Sequence, residues 1–425
     1  MAVQAVHPGD AISASRQLVY VILLGALTAL GPFTIDLYLP AFPVLQEDFH
    51  TTTAAIQLTL TGTMIGFGLG QLIVGPLSDA VGRRVPLLTV TALHVVASTG
   101  AALAPNLELL ALARVLMGMG AAAGGVVAMA IVRDLFGGRR LVVMLSRLAL
   151  VSGVAPVAAP LIGSALLAVM PWRGIFVVLA VYGIVMLVCA IALVPETLPA
   201  ARRDGATTNA PASTGALAGT NTARQRYGSV LRDRVFIGVL VIGGMSFSGL
   251  FSYLSSSSFL FQEGYGFDAQ QYGMLFAVNS LGIVLGVQAA SRLAARFGPQ
   301  WVLAVATAVS VVASVAIIAA DQLGLGFWGT VVPLFVVITA CGFTFPCVQV
   351  LALDRHGAAA GTAASIMGAS NFGVAGLISP VVGWIAKDAG ITATSMASVM
   401  VGCAVIGCLA LWLIVRPRTV EQLAP

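Results

Sequence analysis

Charge is what this chain has least of. Only 9% of its 425 residues are charged and 59% are hydrophobic, where an ordinary soluble domain carries roughly 25% charged residues. That balance excludes a soluble protein and describes an integral membrane one. Lysine is reduced to Lys387, which alanine precedes, so the chain lacks the Gly-Lys of a phosphate loop and cannot hydrolyse ATP in that way. The five cysteines (Cys189, Cys341, Cys347, Cys403, Cys408) all lie inside apolar runs, without metal-ligand spacing. They read as packing residues, and no metal site is expected. Clusters of His, Cys or acidic residues within the apolar runs are also missing, which argues against a membrane enzyme. The first 17 residues, MAVQAVHPGDAISASRQ, lack a short apolar core closed by a small-residue cleavage site, so the first apolar run is expected to remain as a span. The net charge of +5 does not point to nucleic acid, because no soluble face gathers the basic residues.

What is there is a series of apolar runs. A span needs about 20 mostly apolar residues, and twelve such runs begin near Leu18, Ala54, Val85, Leu107, Leu148, Trp172, Val235, Tyr272, Trp301, Thr330, Gly361 and Thr392. Twelve spans put both termini on one side. They also gather Arg16, Arg83/Arg84, Arg133/Arg139/Arg140/Arg147, Arg202 through Arg234, Arg292/Arg296, Arg355 and Arg416/Arg418 on that side, eighteen of the 21 basic residues. The opposite side receives Arg173 and Lys387, and Arg114 falls within a span. By the positive-inside rule the arginine-rich face is cytoplasmic.

Residues 196–229 are rich in Ala, Thr, Gly and Arg without apolar periodicity, the composition of a flexible linker. The expected organisation is therefore a cytoplasmic tail (1–17), a six-helix bundle (18–195), the linker, a second six-helix bundle (230–416) and a short tail (417–425). The halves echo each other. Pro160-Leu-Ile-Gly163 in the fifth span recurs as Pro380-Val-Val-Gly383 in the eleventh, and GPLSDAVGRR (75–84) after the second span has an eroded counterpart, SRLAARFGPQ (291–300), after the eighth. An all-α membrane protein of two pseudo-symmetric six-helix bundles meeting at a midplane cavity is the architecture of a secondary transporter.

Three motifs carry a resemblance over nearly the whole chain. Gly75-Pro-Leu-Ser-Asp79-Ala-Val-Gly82-Arg83-Arg84 resembles the cytoplasmic loop signature of the major facilitator superfamily. Arg114 with Gly118 and Gly120 is similar to the second signature of its twelve-span drug:proton antiporters. Asp36-Leu-Tyr-Leu-Pro40-Ala41 resembles the first-helix pattern of the bicyclomycin and chloramphenicol resistance (Bcr/CflA) branch. One departure stands in the fifth span, where antiporters usually carry a Gly-Pro pair and this chain has Ser152-Gly153-Val-Ala155-Pro156.

Asp36 is the most informative single residue. A carboxylate in hydrocarbon costs about 2.5–3.5 kcal/mol on insertion scales, so it is expected to face the bundle interior or a wet cavity and to find a partner. Asp36 and Arg114 each lie some seven residues inside the outer ends of their spans, about 10 Å deep at 1.5 Å per residue. Equal depth lets them meet. Arginine stays charged in proteins, while a carboxyl group can gain and lose a proton as burial and the distance to a cation change. Asp36 and Arg114 are thus the expected proton-coupling pair, with the proton gradient in place of any cofactor.

The GPLSDAVGRR segment is expected to gate. Asp79, just beyond the second span, can accept hydrogen bonds at a helix N-terminus, which the resemblance implies is that of helix 11. Arg83 can pair with Asp134. Gly75, Gly82 and Arg84 complete this motif, whose contacts would hold the cytoplasmic side shut. Gly153, Pro156 and Pro160 form an expected hinge in the fifth span. GMGAAAG (118–124) follows no strand, so it is not a dinucleotide loop. Tyr38, Tyr253, Ser256, Asn279 and Asn371 are candidate cavity residues suited to an amphipathic ligand. His94 reads as a packing histidine.

The expected function is export of amphipathic drugs or antibiotics across the bacterial inner membrane in exchange for protons, by a monomer embedded in the lipid bilayer. A fold shared by many carriers does not identify its cargo, so proton-coupled transport of an ordinary metabolite stands as the alternative. A non-transporting receptor on the same fold would not need Asp36, Arg114 and the intact loop motif.

Overall fold

The computed structural model describes residues 13–198, 230–354, 360–386 and 390–419. The remainder of the N-terminal tail, the linker from 199 to 229, Arg355, Lys387 and residues 420–425 lie outside the described residues. Twelve helices are long and apolar enough to cross a membrane, and no strand occurs among the described residues. In the first half they are α1 (Ala14–Asp36), α2 (Thr53–Val81), α3 (Arg84–Ala102), α4 (Leu107–Leu135), α5 (Gly138–Leu167) and α6 (Trp172–Leu193). The second half holds α7 (Arg234–Phe259), α8 (Ala269–Phe297), α9 (Pro299–Gln322), α10 (Gly326–Asp354), α11 (Ala360–Ile378) and α12 (Ala393–Leu409).

Polar residues start the helices where the chain re-enters the membrane. Thr52 and Asn106 accept the Ala55 and Leu109 amides, and Asp268 and Thr392 form reciprocal capping boxes with Gln271 and Ser395. These caps satisfy backbone donors that have no partner within the helix. The fifth helix begins at Gly138 rather than near Leu148. Leu141, Met144, Leu145 and Leu148 recur at helical spacing and pack into the first half's core, so the stretch carrying Arg140 and Arg147 is a turn-by-turn extension of α5 and not a loop.

Proline placement decides where the helices break. Pro40 has no N–H to give the Asp36 carbonyl four residues back, and its ring crowds that carbonyl. Accordingly α1 stops at Asp36, and the chain passes through a tight turn (Leu39–Ala41) into a short helix, Phe42–Asp48. Pro380 acts likewise in α11, which stops at Ile378 and resumes as Val381–Ile385. Gly163 of α5 lies against the α1 break so closely that a Cβ there would overlap the Leu37 carbonyl oxygen.

The apolar core is divided unequally. One cluster spans both halves on the arginine-poor side, joining Leu37, Phe42, Leu60 and Phe176 to Phe251, Phe259, Phe276 and Met396. Towards the arginine-rich face there are two further clusters. Leu24, Ile131 and Leu148 belong to the first half's, and Val239, Leu303 and Leu351 to the second's. Hydrogen bonds between the halves follow the shared cluster. Gln57 of α2 is fully buried; its Nε2 donates to the Ser255 carbonyl at 3.1 Å and its Oε1 accepts the Gly383 amide at 3.1 Å. Gln262 Nε2 donates to the Pro40 carbonyl at 3.0 Å. The Thr61 hydroxyl reaches the Gly376 carbonyl at 2.8 Å, the oxygen that Pro380 deprives of its helical donor. Pro160 deprives the Pro156 carbonyl in the same way, and Ser280 of α8 approaches that oxygen at 3.5 Å. The molecule is therefore tied together at its arginine-poor end and holds separate cores at the other.

The linker's first residues are docked rather than free. The Glu196 carboxylate accepts the Arg83 and Arg84 amides at 2.9 and 3.1 Å, capping the N-terminus of α3, where the helix dipole favours an anion. Thr197 donates to Asp134 at 3.4 Å, and Leu198 is buried. The linker expected from residue 196 thus begins beyond Leu198, because this carboxylate finds two unpaired donors.

Two outcomes follow. Gln57→Leu removes two bonds between the halves, and with a net worth of about 0.5–1.5 kcal/mol each the population open at the arginine-poor end should rise roughly fivefold or more. Labelling of a cysteine placed at Ser257 by a membrane-impermeant maleimide from the arginine-poor side should rise accordingly, and unchanged labelling would contradict the latch. Glu196→Gln weakens two charge-assisted caps, so thermal unfolding should occur at a lower temperature; an unmoved transition would show that the cap adds nothing.

Candidate functional site

The break in α1 places three side chains around one point. Asp36 is the last helical residue, 5% exposed, with its Oδ1 buried and without a hydrogen-bond partner. Tyr38, within the turn, is fully buried, its hydroxyl 3.2 Å from that of Thr59. Arg114 of α4 is fully buried too, and its Nη1 donates to the Thr34 carbonyl at 2.7 Å. Its guanidinium carbon lies 3.7 Å from the centre of the Tyr38 ring. Such a desolvated cation on an aromatic face is worth about 2 kcal/mol.

The expected Asp36–Arg114 ion pair is not formed. Asp36 lies close enough to Arg114 to feel its charge, but the guanidinium is taken by the Thr34 carbonyl and the Tyr38 ring, and its Nε and Nη2 remain buried without partners. The cause is local. Where the helix ends, the Thr34 carbonyl loses its helical donor and becomes an acceptor at the depth of Arg114, while the turn brings Tyr38 beneath the guanidinium. His94 completes this side, its Nε2 2.9 Å from the Thr34 hydroxyl and its Nδ1 3.4 Å from that of Ser98. Both ring nitrogens have partners.

The second half closes over Asp36 with hydroxyls and aromatic rings. Asn279 donates to the Tyr253 hydroxyl at 3.0 Å, and the Tyr253 ring stacks on Phe276 with centroids 5.6 Å apart. Tyr272 and Ser257 share a hydrogen bond of 3.0 Å. Tyr253 and Tyr272 are within electrostatic reach of Asp36. Ser256 donates back to the Ser252 carbonyl of its own helix. Tyr38, Tyr253 and Asn279 thus lie on the Asp36 side of the interface, while Ser256 is spent on its own helix, and in this state all four are packed rather than lining an open cavity. Asn371 stands apart on α11, half-buried, its Oδ1 beside Gly243 and without a partner.

Between this layer and the arginine-rich end lies an aromatic group that sequence reasoning missed. Phe67 of α2 stacks on Phe372 of α11 at 5.0 Å, and Phe247 of α7 meets Phe372 at 5.1 Å and Phe345 at 5.3 Å. Phe247, Phe345 and Phe372 are half-buried. Phenylalanine in an apolar span carries no signal of its own. Gln57 and Glu196 were missed as well, although an amide within a span and an acid at a span's end were legible as unusual.

At the arginine-rich end α2 continues through Val81, so Gly75 and Asp79 are helical, and Asp79 sits in the last turn instead of beyond it. The helix terminates at Gly82, whose φ of 108° is a conformation that favours glycine. Arg83 is nearly buried; its Nε donates to Asp134 at 2.8 Å and its Nη1 to Ser78 at 3.0 Å and to Asp79. Burial disfavours its charge, but the bonds to Asp134 and Asp79 outweigh this and hold its pKa above the ordinary arginine value. Arg84 Nη2 donates to the Ile191 carbonyl at 2.8 Å. The Asp79 side chain is 70% exposed and turned to Arg83. Its expected partner, the start of α11, adjoins residues 355–359, which lie outside the described residues. Gly153, Pro156 and Pro160 fall within one continuous helix, α5, where the two prolines face α8 through Ser280 and Gly273.

Known proteins agree with this architecture. The chain is 34% identical over 406 residues to a protein described as an uncharacterized MFS-type transporter, YdgK of Bacillus subtilis (strain 168), covering 95% of this chain and 97% of that one. It is 28% identical to the bicyclomycin resistance protein homolog of Haemophilus influenzae, covering 92% and 95%, and 27% identical to the multidrug resistance protein MdtL of Escherichia coli (strain K12 / DH10B), covering 93% and 95%. Among solved structures, a bacterial homolog of the human lysosomal transporter Spinster, inward-facing and unoccupied, superposes with a TM-score of 0.73 at 14% identity, covering 97% of this chain and all of that one. The family model described as Major Facilitator Superfamily matches residues 23–380, and with this match the twelve-helix chain belongs to the major facilitator superfamily of transporters.

Proposed function

We propose that this transporter exports amphipathic drugs across the bacterial inner membrane in exchange for protons, with both termini and the arginine-rich face in the cytoplasm. The observation that carries the reading is Asp36: a carboxyl oxygen buried at a helix break, beside a permanent cation, with no hydrogen-bond partner. Ionisable groups at such depth are expensive and functional by default. The distribution of arginine supports the orientation. Relatives named for bicyclomycin and multidrug resistance support the cargo class.

In this reading the state described here, tied at the outer end, loads from the cytoplasm. An amphipathic molecule entering between the separate cores meets Phe67, Phe247, Phe345 and Phe372 first, which offer ring faces and edges to a flat or cationic substrate. Asp36 lies deeper. Its unpartnered oxygen takes either a proton or a donor from the substrate, and exclusive use of one position by two ligands is what couples their movements. Arg114 remains charged, and a shift from the Thr34 carbonyl and the Tyr38 ring towards Asp36 during the cycle would favour proton release. Opening outward requires breaking the bonds of Gln57, Thr61 and Gln262. Closing inward brings Asp79 towards α11.

Proteoliposomes with a pH gradient test this directly. The wild type should accumulate lipophilic drugs when the gradient is imposed, and Asp36→Asn should fall to the level of empty liposomes while still binding drug. Undiminished gradient-driven uptake by Asp36→Asn would remove the carrier role, and uptake confined to a sugar or amino acid would favour a metabolite carrier. Asp79→Ala should slow turnover several-fold with drug binding retained; unaltered turnover would end its part in gating.

A further inference from the structure

We propose that the groove between α8, α9 and α10 binds a phospholipid with an anionic headgroup, its acyl chain lying in the groove and its phosphate held by Arg292 and Arg296. The groove has a volume of about 690 Å³ and is walled by Phe297, Trp301, Val305, Val309, Phe335 and Phe343. Phe297, Trp301 and Val305 are 52%, 37% and 65% exposed, so the concavity opens sideways, towards lipid. It lies away from the substrate path, because α8 turns Gly273 and Ser280 towards α5 and Leu293 and Phe297 towards the groove.

Its chemistry changes along its length. The Thr339 hydroxyl of the lining is spent on the Phe335 carbonyl at 2.7 Å, which leaves an apolar trough unsuited to a polar ligand. From Trp301 to Val309 the trough runs along nine residues of α9, which at a rise of 1.5 Å from each to the next spans about 12 Å. That is close to one leaflet of a hydrocarbon core about 30 Å thick. At the arginine-rich end, Leu293 and Phe297 of the lining each follow an arginine. Arg292 and Arg296 are four apart on the last turns of α8, share one face and are exposed. The Arg296 guanidinium carbon lies 5.2 Å from the Phe297 ring centroid, which puts its charge at the groove mouth. Neither arginine has an ion pair among the described residues. Two unneutralised cations at the interface above an apolar trough match a negative headgroup on an acyl chain, and a zwitterionic lipid would leave them without net compensation. The match needs no assumption about cargo or proton coupling.

Native mass spectrometry of the purified protein, equilibrated with equal amounts of phosphatidylglycerol and phosphatidylcholine of the same chains, tests the site. The wild type should retain one phosphatidylglycerol with a preference of roughly tenfold or more. Arg292→Gln with Arg296→Gln should abolish the preference without lowering the number of lipids retained. Val305→Trp, at a lipid-facing position, should fill the trough and lower that number by one. Equal retention of both lipids by the wild type would overturn the proposal. So would a preference surviving the double substitution, or a second copy of the chain taking the place of the lipid.

Discussion

A carbonyl in hydrocarbon that loses its helical donor must find another, and this requirement organises the molecule around its prolines. Pro160 and Pro380, the matched pair in α5 and α11, free the Pro156 and Gly376 carbonyls, and each oxygen is approached by a hydroxyl from the opposite half, Ser280 and Thr61. Pro40 ends α1 at Asp36, leaving the Thr34 carbonyl to Arg114. The same defect that would weaken an isolated helix thus supplies the acceptors that join the two bundles and fix the buried cation. An uninterrupted α1 would bond the Thr34 carbonyl to its own helix.

From this follows a site whose buried polar groups are partly paired and partly left over. The Thr34 carbonyl and the Tyr38 ring hold Arg114, His94 is bonded at both nitrogens, and the tyrosines of α7 and α8 bond Asn279 and Ser257. Asp36 Oδ1 is left over, as are Arg114 Nε and Nη2 and Asn279 Oδ1. Because Tyr253 and Ser257, on the closing side, flank Ser255, whose carbonyl takes the bond from Gln57, in the proposed cycle a change in what Asp36 holds acts on the same layer that must part at the arginine-poor end. That is the physical content of coupling in the proposed cycle: the two ligands and the gate share one set of packed groups, so none can change alone.

How much of this was legible beforehand depends on what each feature required. The twelve spans, the repeat and the arginine-rich face rest on composition summed over long windows, and such sums survive local error. Asp36 and Arg114 were legible because a charge in hydrocarbon needs a reason. Their actual arrangement was not, since a helical-wheel argument places both at one depth but cannot see that a broken helix offers Arg114 a backbone carbonyl. Local composition places Asp79 just beyond the second span, whereas the helix continues to Val81 and ends at Gly82. Composition assigns Glu196 to the linker, although a single carboxylate facing two free amides is enough to dock three residues. Gln57 carried a polarity signal as clear as that of Asn279, but its role depends on the opposite half, which no local pattern records.

In the proposed cycle Asp36 exchanges its proton for substrate. Proton release on drug binding in lightly buffered detergent solution, followed with a pH indicator and repeated with Asp36→Asn, tests it without relying on transport or orientation. Protons should be released on addition of drug to the wild type and not to the variant, while both bind. Equal release from the two proteins, or none from a wild type that binds drug, would rule out that exchange.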